Sequence, residues 1–163
     1  MGNIIIWGEI MKIDYVKLIV SVVICQLAGG IGSIFTVSSV GSWYSGLKKP
    51  FFNPPNWLFG PVWTLLFLLM GVSFYLLWVN HGKTAMIVFG VQLLLNVLWS
   101  ILFFGLKSPL YALIEIFVLW AAILAAIVVS YNVSKTASYL MIPYILWVSF
   151  AILLNLMIYR MNI

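Results

Sequence analysis

Five apolar runs, each about as long as a bilayer is thick, decide what this chain can become. They extend from about Tyr15 to Val37, Gly60 to Val79, Ala85 to Gly105, Leu110 to Ser130 and Tyr139 to Tyr159. A helix needs about 20 residues, at 1.5 Å each, to cross a hydrocarbon layer of ~30 Å. Hydrophobic residues make up 65% of the chain and charged ones only 7%, and mean hydropathy is +1.19. A soluble domain is about half apolar and a quarter charged. The expected fold is therefore all-α, an integral membrane bundle of five transmembrane helices. Residues 15–160 form one domain, preceded by an N-terminal extension over 1–14, with no room for a separate soluble unit. In that extension Trp7 is an interfacial anchor if the segment has a role, and otherwise the first ten residues are dispensable.

Between the first two spans lies the stretch least able to be helical. Gly41 to Trp63 holds four of the six prolines (Pro50, Pro54, Pro55, Pro61) and three of the eight tryptophans (Trp43, Trp57, Trp63). Proline fixes φ, removes a donor and pushes the preceding residue out of the α region, so Lys49 to Pro55 reads as a stiff loop. Such a loop either lies in the membrane interface or folds over the bundle mouth as a lid, with Trp43, Lys49, Pro50, Pro54, Pro55 and Trp57 as its residues. Pro61 is expected in the first turn of the second span, where its missing N–H loses no partner.

The charge of +5 is scattered. It forms no stripe of the kind nucleic acid requires, so the partner it implies is the lipid bilayer. Lysine and arginine divide four against four between the two sides, which leaves orientation open. One His and Cys25 alone cannot build a metal site, so no metal is expected.

Polar residues inside the runs say more. In the first span Ser21, Cys25, Ala28, Gly29, Gly32, Ser33 and Thr36 recur at three- and four-residue steps and form one small face, a pattern of close helix approach. In the third, Gln92, Asn96 and Ser100 stand at i, i+4 and i+8, with Trp99 and Phe103 alongside, and in the fifth Trp147, Ala151 and Asn155 follow at four-residue steps. Buried amides in hydrocarbon are expensive unless partnered, so Gln92, Asn96, Ser100 and Asn155 should face the bundle interior. Tracing the up-and-down order puts Trp43, Tyr44, Trp57, Trp63, Trp99, Phe103, Glu115 and Asn155 in the same half of the membrane, with Asn96 and Trp147 near mid-depth. Aromatic walls with a few placed polar groups suit a large, flat, mostly apolar ligand.

Each residue also has a plainer reading. Tryptophans near span ends are commonly interface anchors, which is the reading preferred for Trp78 and Trp120. Gln92 and Asn96 could simply bond neighbouring helices. Glu115, about 7 Å inside its helix at 1.5 Å per residue, is shallow enough to snorkel or to pair with Lys107 or Arg160, a structural ion pair being preferred to a proton relay. His81 belongs to a solvated turn.

Trp43-Tyr44-x-x-Leu47-x-Lys49-Pro50 followed by Pro54-Pro55-x-Trp57-x-x-Gly60-Pro61-Val62-Trp63 resembles the signature of the TspO/MBR family, the tryptophan-rich sensory and translocator proteins. The likeness continues in Gly29-Gly30-x-Gly32 with Thr36, in Gln92-x-x-x-Asn96-x-x-Trp99 with Phe103-Phe104-Gly105, in Glu115, and in Pro143-Tyr144-x-x-Trp147 with Ala151 and Leu154-Asn155. It implies a five-helix bundle forming a homodimer, here in a bacterial cell membrane. Its lidded pocket takes porphyrins such as protoporphyrin IX and haem, or drug-like benzodiazepines and isoquinolines. By that likeness Tyr44, Trp63, Asn96, Trp99 and Trp147 would line the pocket, with Ala151 on the helix face beside it. The spacing adds Ser100 and Phe103. No resident cofactor is implied, the porphyrin being ligand or substrate. The chain departs from the family's sterol-recognition pattern, having Leu156 where an aromatic is expected and Tyr159 directly against Arg160, so the resemblance does not carry sterol binding over.

Three functions remain open: a tetrapyrrole receptor or transporter, an enzyme degrading porphyrin in light and oxygen through Trp63 and Trp147, and an accessory protein acting by helix pairing. The sequence holds no ordinary catalytic constellation for the second.

Overall fold

The structure, a computed structural model, describes residues 3–6 and 9–163, with side chains from residue 13 onward. Trp7 lies outside the described residues. A short antiparallel hairpin joins β1 (Asn3–Ile6) to β2 (Glu9–Lys12), pairing Asn3 with Lys12 and Ile6 with Glu9. From Tyr15 onward the regular elements are helices. Five segments are long and apolar enough to cross a membrane: Tyr15–Val40, Asn56–Val79, Lys83–Gly105, Pro109–Tyr131 and Lys135–Met161. The protein is a multi-pass integral membrane protein, helical because hydrocarbon offers no partner to an unpaired peptide group.

Local chemistry sets the boundaries. α1 (Tyr15–Val40) begins where the Asp14 carboxylate accepts the Lys17 N–H at 3.1 Å. Lys17 also reaches that carboxylate with its ammonium at 3.4 Å. α2 (Trp43–Gly46) is a single turn in the loop. α3 (Asn56–Val79) starts directly after Pro55. This corrects the expected start at Gly60: Pro61 sits in the second turn, so the Trp57 carbonyl lacks its usual helical donor. α4 (Lys83–Ser100) passes into a π-turn at Ile101–Gly105. α5 (Pro109–Tyr131) is capped by Ser108, with proline in its first turn. The last span is broken. α6 (Lys135–Leu140), capped by Ser134, gives way at Met141 to α7 (Ile142–Met161), with Pro143 just inside the break. The stretch left between the fourth and fifth apolar runs is thus partly helix, Lys135 to Ser138 belonging to α6.

Asp14 gives a pH test. The Lys17 N–H bond, its largest influence, holds the carboxyl pKa below the free value of 3.8, against a weaker opposing effect of desolvation. A lowered folded pKa means stabilisation that is complete above about pH 4 and lost as pH falls through the folded value. Melting temperature followed from pH 6 to pH 2.5 should fall more steeply in the wild type than in Asp14→Asn, which keeps a capping oxygen and does not titrate.

The spans close into a ring in which α1 packs on α3 and α4, α5 packs on α4, α6 and α7, and α3 packs on α6. The half around α6 is solid: Met70, Leu77, Phe89, Ile123, Met141 and Tyr144 are buried. There the Ser73 hydroxyl donates to the Ala137 carbonyl at 2.8 Å. Towards the opposite end α3 meets α7 through large rings, Trp63 against Tyr144 and Phe59 against Trp147, both at 6.2 Å between centroids. Rings of that size hold the two helices apart. The bundle is hollow at that end.

Closest approach does not come from the small face of α1 alone. Gly71 of α3 lies against the Val22 backbone, and Gly29 of α1 lies under the Phe67 ring. On α5, Ala121 and Ala125 are exposed, whereas Ala126 is buried. Trp120 is not an interface anchor. It stands mid-helix and donates its indole N–H to Ser149 of α7 at 2.9 Å, because a polar group at that depth needs a protein partner.

Candidate functional site

A cavity of about 650 Å³ occupies the hollow end. α3 supplies Trp63, with Phe67 behind it and their rings 5.6 Å apart. α4 supplies Asn96, Trp99 and Ser100, and the π-turn adds Phe103 and Phe104. α7 supplies Trp147 and, one turn on, Ala151. Tyr44 closes the cavity from the loop. All eight expected ligand-contacting residues, Tyr44, Trp63, Asn96, Trp99, Ser100, Phe103, Trp147 and Ala151, therefore line one space. Four tryptophans line it, Trp63, Trp99 and Trp147 from three helices and Trp57 at its rim, and none of its described lining residues carries a charge.

Two polar crossbars tie α4 to α7 behind the rings. Asn96 Nδ2 donates to the Tyr144 hydroxyl at 2.9 Å. Trp99 Nε1 donates to Asn155 Oδ1 at 3.3 Å, and Asn155 Nδ2 in turn donates to the Pro109 carbonyl at 2.8 Å. These bonds fix ring and amide orientation before any ligand arrives. They leave the Asn96 carbonyl oxygen and the Ser100 hydroxyl available at the cavity surface.

The loop lies over this end as a roof. Trp43 and Tyr44 set their rings on Phe103 at 5.6 and 6.2 Å, and Phe52 meets Phe150 of α7 at 6.3 Å. The Tyr44 hydroxyl donates to Asn53 Oδ1 at 2.8 Å. Burial pushes the Tyr44 phenol above its ordinary pKa, the Asn53 bond opposing, so it stays a neutral donor. Lys49 donates to the Ser45 and Leu47 carbonyls, each at 3.2 Å, and lies 4.8 Å from the Tyr44 ring centroid, stiffening the loop instead of entering the cavity. Pro50 is buried, Pro54 half-buried and Pro55 exposed at the start of α3. Trp57 belongs to the second position of α3 and forms part of the cavity rim, 70% exposed. The far end of the chain holds the roof down: Asn162 accepts the Lys48 N–H at 3.0 Å and donates to the Lys48 carbonyl at 2.9 Å. Between α1 and α3 the cavity edge is made of exposed Gly30, Ser33, Gly60 and Thr64, so it opens sideways toward lipid.

Two expectations need correction. Among the described residues Glu115 makes no ion pair. Its carboxylate oxygens are buried and have no hydrogen-bond partner among the described residues. The reason is helical phase: Glu115 shares its face with buried Ala112, Ile116 and Leu119, whereas Lys107 and Arg160 are exposed. Gln92 is fully buried as expected, but neither amide atom finds a partner among the described residues. His81 is exposed in its turn with φ 56.

Several lining residues were not singled out beforehand. Gln26 precedes Gly29 and Ser33 by three and seven residues, and Phe59 precedes Trp63 by one turn, so helical spacing could have found both. Phe104, four residues after Ser100, continues the four-residue steps of Gln92, Asn96 and Ser100, so spacing could have found it too.

Fold and site together define a class: a small membrane bundle, solid at one end and hollow at the other, roofed by its own first loop and walled with indoles. The pattern of the TspO/MBR family matches residues 21–160, and the chain belongs to that family. It is 47% identical over 152 residues to the tryptophan-rich protein TspO of Archaeoglobus fulgidus, covering 91% of this chain and 99% of that one. It is 37% identical over 138 residues to the human translocator protein, covering 81% and 82% of the two. Against the tryptophan-rich sensory protein of Cereibacter sphaeroides it is 29% identical over 153 residues, covering 93% and 95%.

Proposed function

We propose that this protein binds a planar tetrapyrrole, protoporphyrin IX or haem, inside the bundle. The observation that carries the reading is the meeting of Trp63, Trp99 and Trp147, from three helices, around one uncharged cavity beneath a roof. A large aromatic disc gains by stacking on indoles, while the Asn96 oxygen and Ser100 hydroxyl offer hydrogen bonds to polar edges. Benzodiazepine- and isoquinoline-type compounds fit the same description and should compete.

Titration of the detergent-purified protein with protoporphyrin IX in darkness tests this. Indole fluorescence should quench saturably. Trp63→Ala and Trp147→Ala should each weaken affinity about threefold to tenfold, an aromatic contact being worth about 0.5–1.5 kcal/mol beyond its buried area. Unchanged affinity in both variants overturns the reading. Illumination in air then separates binding from destruction: persistent porphyrin absorbance supports a binding protein, whereas a loss suppressed by Trp147→Phe marks an enzyme.

A further inference from the structure

The aromatic wall rests on an irregularity in the third span. At Ile101–Gly105 the helix widens: the Leu106 N–H reaches back five residues to the Ile101 carbonyl at 2.8 Å, and the Ser108 N–H reaches the Leu102 carbonyl at 3.1 Å. A π-turn fits one extra residue into the helix. Within it the sequence neighbours Phe103 and Phe104 are both buried, with centroids 4.8 Å apart, edge to face. Both hold Trp99, Phe103 stacked at 5.2 Å and Phe104 edge-on at 6.0 Å.

The end of the helix at Gly105 leaves the Phe104 carbonyl without a helical donor. The residue five places on is Pro109, which has no N–H, and the Ser108 N–H is already committed. The donor comes from α1: the Ser39 hydroxyl, buried, bonds the Phe104 oxygen at 2.8 Å. The Ser39 carbonyl also accepts the Ser42 N–H at 3.3 Å, at the root of the roof whose Trp43 and Tyr44 rings press on Phe103.

We propose that Ser39 is a positioning residue for the cavity: by holding the π-turn against the root of the roof, it sets the ring wall of Trp99, Phe103 and Phe104. The affinity part rests on the porphyrin reading above; the positioning part does not.

The test compares Ser39→Ala and Ser39→Thr with Ser73→Ala, which removes a buried hydroxyl-to-carbonyl bond of the same length in the solid half of the bundle. Two readouts are taken in detergent: protoporphyrin IX affinity in darkness, and the part of the near-ultraviolet dichroism band that Trp99→Phe abolishes. Ser39→Ala should diminish the Trp99 band and weaken affinity about fivefold, the range one net hydrogen bond spans. Ser39→Thr, which keeps the hydroxyl, should restore both to within about twofold. Ser73→Ala should lower the melting temperature while leaving band and affinity intact. Should Ser39→Ala not fold, Ser39→Cys, a weaker donor of similar size, should show the same two losses. A wild-type band and affinity in the hydroxyl-less variant overturn the proposal, as does a loss that threonine fails to repair. If the wild type binds no porphyrin, the function falls, and the band alone decides for or against Ser39.

Discussion

Gly71→Ala should drive α1 away from α3 and lower the melting temperature by roughly 5–10 °C. A methyl at Gly71 would stand 2.6 Å from Val22 Cα and 3.2 Å from its backbone nitrogen. Those atoms belong to a helix backbone, so no rotamer change relieves the contact and α1 itself must shift. Overpacking of this kind costs about 1–3 kcal/mol, and in a chain of this size each 1 kcal/mol moves the melting temperature by about 2–4 °C. Since the cavity opens between these two helices, protoporphyrin IX affinity should fall with it. Gly90→Ala is the matched comparison, because a Cβ there meets nothing within 4 Å. Alanine in that helical position should be neutral or stabilising by up to about 1 kcal/mol. Thermal melts followed by circular dichroism check both, and equal melting temperatures for the two variants would remove the α1 to α3 contact from the account.

Removing Asn155 should injure both stability and binding. The residue is 1% exposed and holds two helices at once, accepting from the Trp99 indole and donating to the Pro109 carbonyl. Asn155→Ala leaves a half-buried N–H without its acceptor, at about 1–3 kcal/mol, and opens a void beside it. The Trp99 ring is then steered only by its stacking on Phe103, so protoporphyrin IX affinity should fall about tenfold, equivalent to 1.4 kcal/mol. The indole emission should change as well, and that change should be missing when the same substitution is made in Trp99→Phe. Wild-type affinity in Asn155→Ala would show that the crossbar serves only to join α4 and α7.

The two predictions differ in how visible they were in the chain. Asn155 could be read in advance, because an amide at a four-residue step from Trp147 and Ala151 in an apolar run has to face the interior. Gly71 could not: one glycine in a uniformly apolar span carries no mark of the Val22 backbone that crosses it. The same division runs through the site. The indoles and amides of the spans could be placed in one half of the membrane because they stand at helical spacing in runs of known direction, whereas the choice of Tyr44, Trp63, Asn96, Trp99 and Trp147 as lining residues came from the family resemblance. The π-turn at Ile101–Gly105 was not legible, since nothing in the order of Trp99, Ser100, Phe103 and Phe104 marks a widened helix. Glu115 lacks the partners that its position along the helix suggests, because partnership depends on the azimuth of neighbouring helices. Asn162 lies more than a hundred residues from Lys48 in sequence, and nothing local marks either as the other's partner.

The sequence by itself determined the number of spans, the stiffness of the first loop and the face on which each span carries its polar groups, since hydropathy, proline geometry and helical period are properties of a few consecutive residues. Only the packing of the helices sets where the bundle is hollow and which hydroxyl answers the Phe104 carbonyl at the helix end. Those outcomes depend on atoms within about 4 Å that belong to distant parts of the chain.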